Sequence, residues 1–94
     1  MNKPRILIVE DEAIVARDIS QQLEQLGYEP VGTSASGEEA VEMAERLRPD
    51  LVLMDIHLAG ELDGVAAAQT IREKLAVPVV FLTAFVETET LNRA

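Results

Sequence analysis

The stretch Leu51-Val52-Leu53-Met54-Asp55 constrains this chain more than any other: four apolar side chains in a row, then an acid, then Ile56-His57. A short apolar run without polar alternation predicts a strand buried on both faces, as in a parallel sheet covered by helices. In open parallel sheets, ligands bind beyond the carboxyl ends of the strands, so Asp55 stands where such a fold places its chemistry. An earlier run, Ile6-Leu7-Ile8-Val9, leads in the same way into Glu10-Asp11-Glu12. If the two strands are parallel neighbours, their acids converge. Carboxylates held that close repel one another, so a cation or a chemical task is needed to hold them together. The expectation from these residues is a phosphate site bearing Mg2+.

The other segments agree with a helix-covered sheet. Glu12 to Leu26 places Val15, Ile19, Leu23 and Leu26 at helical spacing, and Gly27 supplies a left-handed cap. Tyr28 to Thr33 reads as a short strand, and Pro30 assigns it to a sheet edge, where a missing N–H is tolerated. Ser36-Gly37-Glu38-Glu39 matches a capping box for a helix whose buried stripe is Ala40, Val41, Ala44 and Leu47. Arg48-Pro49-Asp50 ends that helix and feeds the strand at Leu51. Asp55 to Gly64 is a loop, with Asp63 as N-cap of a third helix lined by Ala67, Ala68, Ile71 and Leu75. Pro78 opens a further strand, Val79 to Leu82, ending at Thr83; Glu87 to Leu91 has the look of the first turn of a fourth helix. Strands alternating with helices imply βαβ units and a parallel sheet between helical layers.

Bulk properties narrow the function. The 94 residues are enough for one domain, 48% hydrophobic but only 3% aromatic, so the core must be Val, Leu, Ile and Ala. With 17 acidic against 8 basic residues the net charge is −9, which opposes binding to nucleic acid or anionic lipid. The absence of cysteine excludes disulfides and thiolate metal sites. The aliphatic run after Lys3 and Arg5 is too short for a signal-peptide core or a membrane span, so a soluble cytoplasmic protein is expected.

Ile8-Val9-Glu10-Asp11-Glu12, Asp50-Leu51-Val52-Leu53-Met54-Asp55, Asp63-Gly64 and Pro78-Val79-Val80-Phe81-Leu82-Thr83-Ala84 stand in an order and at a spacing that resemble the receiver domain of two-component response regulators. The resemblance covers essentially the whole chain, residues 1–94. It implies a flavodoxin-like α/β fold with parallel strands ordered 2-1-3-4, lacking the family's fifth strand and helix. It further implies that Asp55 accepts a phosphoryl group from a sensor histidine kinase or a phosphotransfer protein, as a nucleophile forming an acyl phosphate. Asp11 and Asp55 would bind Mg2+ directly, the backbone carbonyl of His57 would add a ligand, and Glu10 would act through water. Thr83 would hydrogen-bond a phosphoryl oxygen and act as a switch, and the small Ala84 would leave that group room. The only chemistry implied is self-phosphorylation and self-dephosphorylation at Asp55. The chain departs from the family at three points: the lysine at the end of a fifth strand and the aromatic residue on that strand have no counterpart, and the loop from Asp55 to Gly64 is one residue longer, with Ala59-Gly60 where proline is usual. Lys3 and Lys74 fall at the wrong end of the sheet to replace that lysine.

Plainer readings exist for each residue. A lone His57, without a second histidine or a cysteine, is poor spacing for Zn2+ and fits a solvent-facing loop position better. Thr83 can simply end a strand, Asp50 leads into its strand from the opposite end, and Glu87 and Glu89 favour a helix N-terminus. A rival function is a non-phosphorylated interaction or assembly module, self-associating through the apolar edge Val79 to Leu82. An Asp-nucleophile phosphatase is disfavoured, because Asp55-Ile56-His57 offers no second acid two residues on.

Overall fold

The computed structural model describes residues 3–55 and 61–81. Seven elements follow one another as β1 (Arg5–Val9), α1 (Ala13–Gln25), β2 (Glu29–Ser34), α2 (Gly37–Leu47), β3 (Leu51–Met54), α3 (Glu61–Leu75) and β4 (Val79–Phe81). The four strands form a parallel sheet in the order β2-β1-β3-β4, the expected flavodoxin-like arrangement.

Strand alternation divides the core in two, because successive side chains of a strand point to opposite faces. Leu7 and Val9 of β1, Val52 and Met54 of β3 and Val79 of β4 pack with Ala40 and Ala44 of α2 and Ala67, Ala68 and Ile71 of α3. The four alanines on the two helices let both lie close to the sheet. On the other face Ile6 and Ile8 meet Ala16 and Leu23 of α1, with Ile19, Leu51 and Leu53 partly buried beside them. β3 is therefore fully buried on its α2/α3 side only: Val52 and Met54 are inaccessible, whereas Leu51 and Leu53 are half-covered by the single helix α1.

The stripe on α1 is Ala16, Ile19 and Leu23 rather than the Val15, Ile19, Leu23 and Leu26 read from the sequence. Each four-residue step drifts about 40° around a helix of 3.6 residues per turn, so Val15 lies about 80° from Leu23. Val15 is thus 37% exposed, and Leu26, at the C-cap where the helix has ended, is 72% exposed. Gly27 does cap α1, with φ 96°. Its amide donates to Glu24 O at 3.1 Å and the Tyr28 amide to Leu23 O at 2.9 Å, the paired bonds of a Schellman motif.

Ser36 caps α2, its hydroxyl accepting the Glu39 amide at 3.2 Å. The return bond of the predicted capping box lands one residue early: Glu39 Oε1 accepts the amide of Ala35 at 3.0 Å. The Ser36 amide points instead at Ser34 Oγ, 3.4 Å away, which leaves Ala35 as the free donor within reach. Asp63, expected as N-cap of α3, falls inside the helix Glu61–Leu75. The stripe of α3 is as read, with Ala67, Ala68 and Ile71 buried and Leu75 packed against them. The last residue expected in β4, Leu82, and the helical turn from Glu87 lie outside the described residues.

β2 occupies the edge that Pro30 assigned to it. Its pairing with β1 is irregular: Ile6 faces Pro30 and Leu7 faces Gly32, so Val31 is an extra residue in the ladder. Asp50 lies at the opposite end of the sheet from Asp55 and is structural, accepting the Arg5 amide on Oδ2 at 2.7 Å while its own amide donates to Arg5 O at 2.8 Å.

Candidate metal and phosphoryl site

β1 and β3 are parallel neighbours in the register Val9↔Met54, so the residues that follow them leave the sheet on the same rim. The Asp55 amide donates to Val9 O at 2.9 Å and the Glu10 amide to Ser34 O at 2.8 Å. Backbone bonds thus carry the ladder one residue past both strand ends and fix where these two acids start. One carboxylate oxygen from each of Glu10, Asp11 and Asp55 lies within 4.8 Å of the others. Glu10 is buried, at 6% exposure, Asp55 is half-buried and Asp11 is open to solvent.

Burial raises the Glu10 carboxyl from 4.5 to about 7. The Glu12 amide, donating to Glu10 Oε2 at 3.1 Å, opposes this, while Asp11 and Asp55 beside it push the same way as burial. Three convergent oxygens of like charge, one already driven toward its neutral form, can hold a metal; an all-oxygen carboxylate set suits a hard divalent cation and offers nothing that a thiophilic ion prefers.

Of the residues expected at the site, the sheet brings Glu10, Asp11 and Asp55 together, while His57, Thr83 and Ala84 lie outside the described residues. Lys3 lies at the far end of the sheet, beside Pro4, Arg5, Glu29 and Asp50. Beside the acids opens a cleft of about 420 Å3 whose walls include Arg17, Ser20 and Gln21 of α1 and Thr33 and Ser34 of β2. The cleft did not emerge from the sequence, although Arg17, Ser20 and Gln21 are polar at positions three and four apart, which marks one side of a helix. Ser34 was missed as well; it is 2% exposed, and nothing in its sequence context distinguishes it from a solvent-facing serine at a strand end.

A doubly wound parallel sheet with an acidic, metal-competent rim at the carboxyl ends of two adjacent strands defines a class of flavodoxin-like α/β domains. Within that class the chain belongs to the response regulator receiver domain family, whose model matches residues 6–94. It is 46% identical over 90 residues, 96% of its length, to the transcriptional regulatory protein PdtaR of Mycobacterium tuberculosis, of which it spans 43%. The receiver domain of a modulated diguanylate cyclase from Desulfovibrio desulfuricans G20 superimposes with a TM-score of 0.78 at 45% identity, covering 85% of this chain and 64% of that one. The response regulator PhyR from Brucella abortus superimposes at 0.77 with 39% identity, covering 84% of this chain and 32% of that one. Among the described residues no helix is long and apolar enough to cross a membrane.

Proposed function

We propose that this domain is a Mg2+-dependent phosphoacceptor, with Asp55 as the residue that carries the phosphoryl group. A single observation supports this most: Glu10, Asp11 and Asp55 place carboxylate oxygens within 4.8 Å of one another on the rim where β1 and β3 end. Asp11 and Asp55 would hold Mg2+ directly and Glu10 through water, with His57, Thr83 and Ala84 in the roles that family membership suggests. When bound, Mg2+ supplies the positive charge that offsets the phosphoryl oxygens.

The chain's own contribution is positional. Asp55 is half-buried and anchored through its amide, so one of its carboxylate oxygens can be presented in line with an incoming phosphoryl group. The donor would be a phosphohistidine on a sensor kinase or phosphotransfer protein. Its N–P bond breaks as an O–P bond forms to Asp55, and the histidine nitrogen leaves with the electron pair. A carboxylate nucleophile needs no general base. Later attack by water on the phosphorus returns the free carboxylate and inorganic phosphate, so turnover is confined to Asp55 itself.

Incubating the chain with a small acyl-phosphate donor and Mg2+ should add one phosphoryl mass, and Asp55→Asn should abolish the gain. No added mass on the unsubstituted chain, or an undiminished gain in Asp55→Asn, would overturn the assignment.

One observation favours a second reading. β4 is a sheet edge among the described residues, and Val80 on it is 48% exposed on the same face as the half-covered Leu53. An apolar edge of this kind recruits further chain, which supports an assembly module that associates without phosphorylation. Sedimentation over a range of concentrations separates the two: self-association in the absence of phosphodonor and Mg2+ favours assembly, and a monomer throughout removes it.

A further inference from the structure

We infer that Ser34 is a positioning residue that ties Glu10 to the amino terminus of α2, so that occupancy of the acidic site is felt at the Ser34-to-Glu39 turn. The inference rests on the Mg2+ reading above and adds a residue to it.

Ser34 is the last residue of β2, and it and Glu10 are the two buried polar residues of the described chain. Its two oxygens face different tasks. The backbone carbonyl accepts the Glu10 amide at 2.8 Å, which fixes the main chain of the residue whose carboxylate joins Asp11 and Asp55. The hydroxyl turns back on its own segment, donating to Ser36 O at 2.9 Å and facing the Ser36 amide at 3.4 Å. Those bonds set the direction in which the chain leaves the sheet. Ser36 then caps α2 through the Glu39 amide, and the Glu39 carboxylate holds the Ala35 amide at 3.0 Å. A continuous path of short polar contacts thus runs from Glu10 through Ser34 to the first turn of α2.

A buried hydroxyl is costly to desolvate unless both its donor and acceptor roles are used, and Ser34 uses both on a turn of three residues. Alanine would fill the same space without directing the turn. The carbonyl that meets Glu10 would then be anchored by the β1 ladder alone, at Val9↔Ser34, the final pair of that ladder. The path also borders the cleft shared by Glu10, Asp11, Ser34, Ala35 and Glu39, so a change in Glu10 and a change at α2 meet in one space.

Two measurements test this on the intact chain. In amide hydrogen exchange of the unsubstituted protein, Mg2+ should slow the amides of Glu10, Ala35 and Glu39 together; slowing of Glu10 without the other two would overturn the inference. In calorimetric titration with Mg2+, Ser34→Ala should weaken binding about threefold, less than the tenfold or more that removal of a direct outer partner of a metal ligand brings. Gly27→Ala is the control: it costs stability at the carboxyl end of α1, away from the path between Glu10 and α2, so its Mg2+ affinity should stay within error of the parent. Equal weakening in both variants would reduce Ser34 to a general structural role and overturn the inference. Equal affinity of parent and Ser34→Ala would do the same while leaving the metal site intact. Failure of the unsubstituted chain to bind Mg2+ at all would instead remove the Mg2+ reading itself, and this inference with it.

Discussion

The amide of Asp55 donates to the carbonyl of Val9 at 2.9 Å, so the residue after β3 is pinned to the last residue of β1. The carboxylates on either side of that bond therefore start from a common backbone frame and not from two independent loops. Side chains on rigid strand ends hold their relative positions more closely than side chains on long loops, and a site of like charges depends on that constraint.

Asp11 is the exposed member of the trio, so its loss should separate binding from folding. Asp11→Asn is expected to weaken Mg2+ binding at least about tenfold, as loss of a direct ligand does, with a change in unfolding free energy within about 0.5 kcal/mol. Calorimetric titration and urea denaturation on the same sample check the two halves. A large stability loss with unchanged Mg2+ affinity would mean that Asp11 is a structural residue.

Glu10 gives the metal-free protein a pH dependence of definite sign. Its carboxyl is raised to about 7 in the folded state by burial, against 4.5 ordinarily. Between those values the unfolded chain has released the proton while the folded chain keeps it, so the folded state binds more protons and stability falls as pH rises from about 4.5 to about 7, then levels off. The shift corresponds to at most about 3 kcal/mol. Urea midpoints of the metal-free chain should decline across that window, and Glu10→Gln should flatten the decline. Mg2+ favours the ionised form, so its affinity should climb through the same window and level above about pH 7.

Gly32 leaves space that α2 occupies. A Cβ there would stand 2.8 Å from Met43 Cε and 3.3 Å from Leu47 Cδ1. The methionine tip can swing aside, so Gly32→Ala should cost about 1 kcal/mol; the branched side chain of Gly32→Val has nowhere to go and should cost about 3 kcal/mol. Chemical denaturation reads both, and a neutral Gly32→Val would show that β2 and α2 are not in close contact.

Gly27 is a different kind of glycine. Nothing lies within 4 Å of the Cβ it lacks, but its φ is 96°. Gly27→Ala should therefore cost about 1 kcal/mol through backbone strain alone, and Gly27→Asn less, since asparagine tolerates the left-handed region. Equal loss in the two variants would point to a steric cause.

Much of the fold was legible because its signals are local. The unbroken run Leu51 to Met54 marked a central strand, Pro30 an edge strand, and acids placed immediately after two aliphatic runs marked one rim. What escaped depends on distant parts of the chain. The phase of the α1 stripe, Ala16 rather than Val15, is set by where β1 lies beneath the helix, and an isolated periodicity cannot supply it. Glu39 bonds Ala35 rather than Ser36 because Ser34 already engages the Ser36 amide. Asp63 lies within α3 because the helix opens earlier than the most evident capping residue.

The extra residue at Val31 has a consequence at the far end of its strand. With Val31 outside the ladder, Gly32 meets Leu7, Thr33 meets Ile8 and Ser34 meets Val9. An unbroken pairing would shift each partner by one and set Thr33, not Ser34, opposite Val9. The side-chain parity of the strand would reverse with it, exposing the serine hydroxyl and turning a bulkier threonine inward beneath the acids. A single surplus residue thus decides which side chain underlies the acidic rim, and deleting Val31 should leave cation binding intact, because the shortened strand presents Gly32, Thr33 and Ser34 to the same partners through an unbroken ladder.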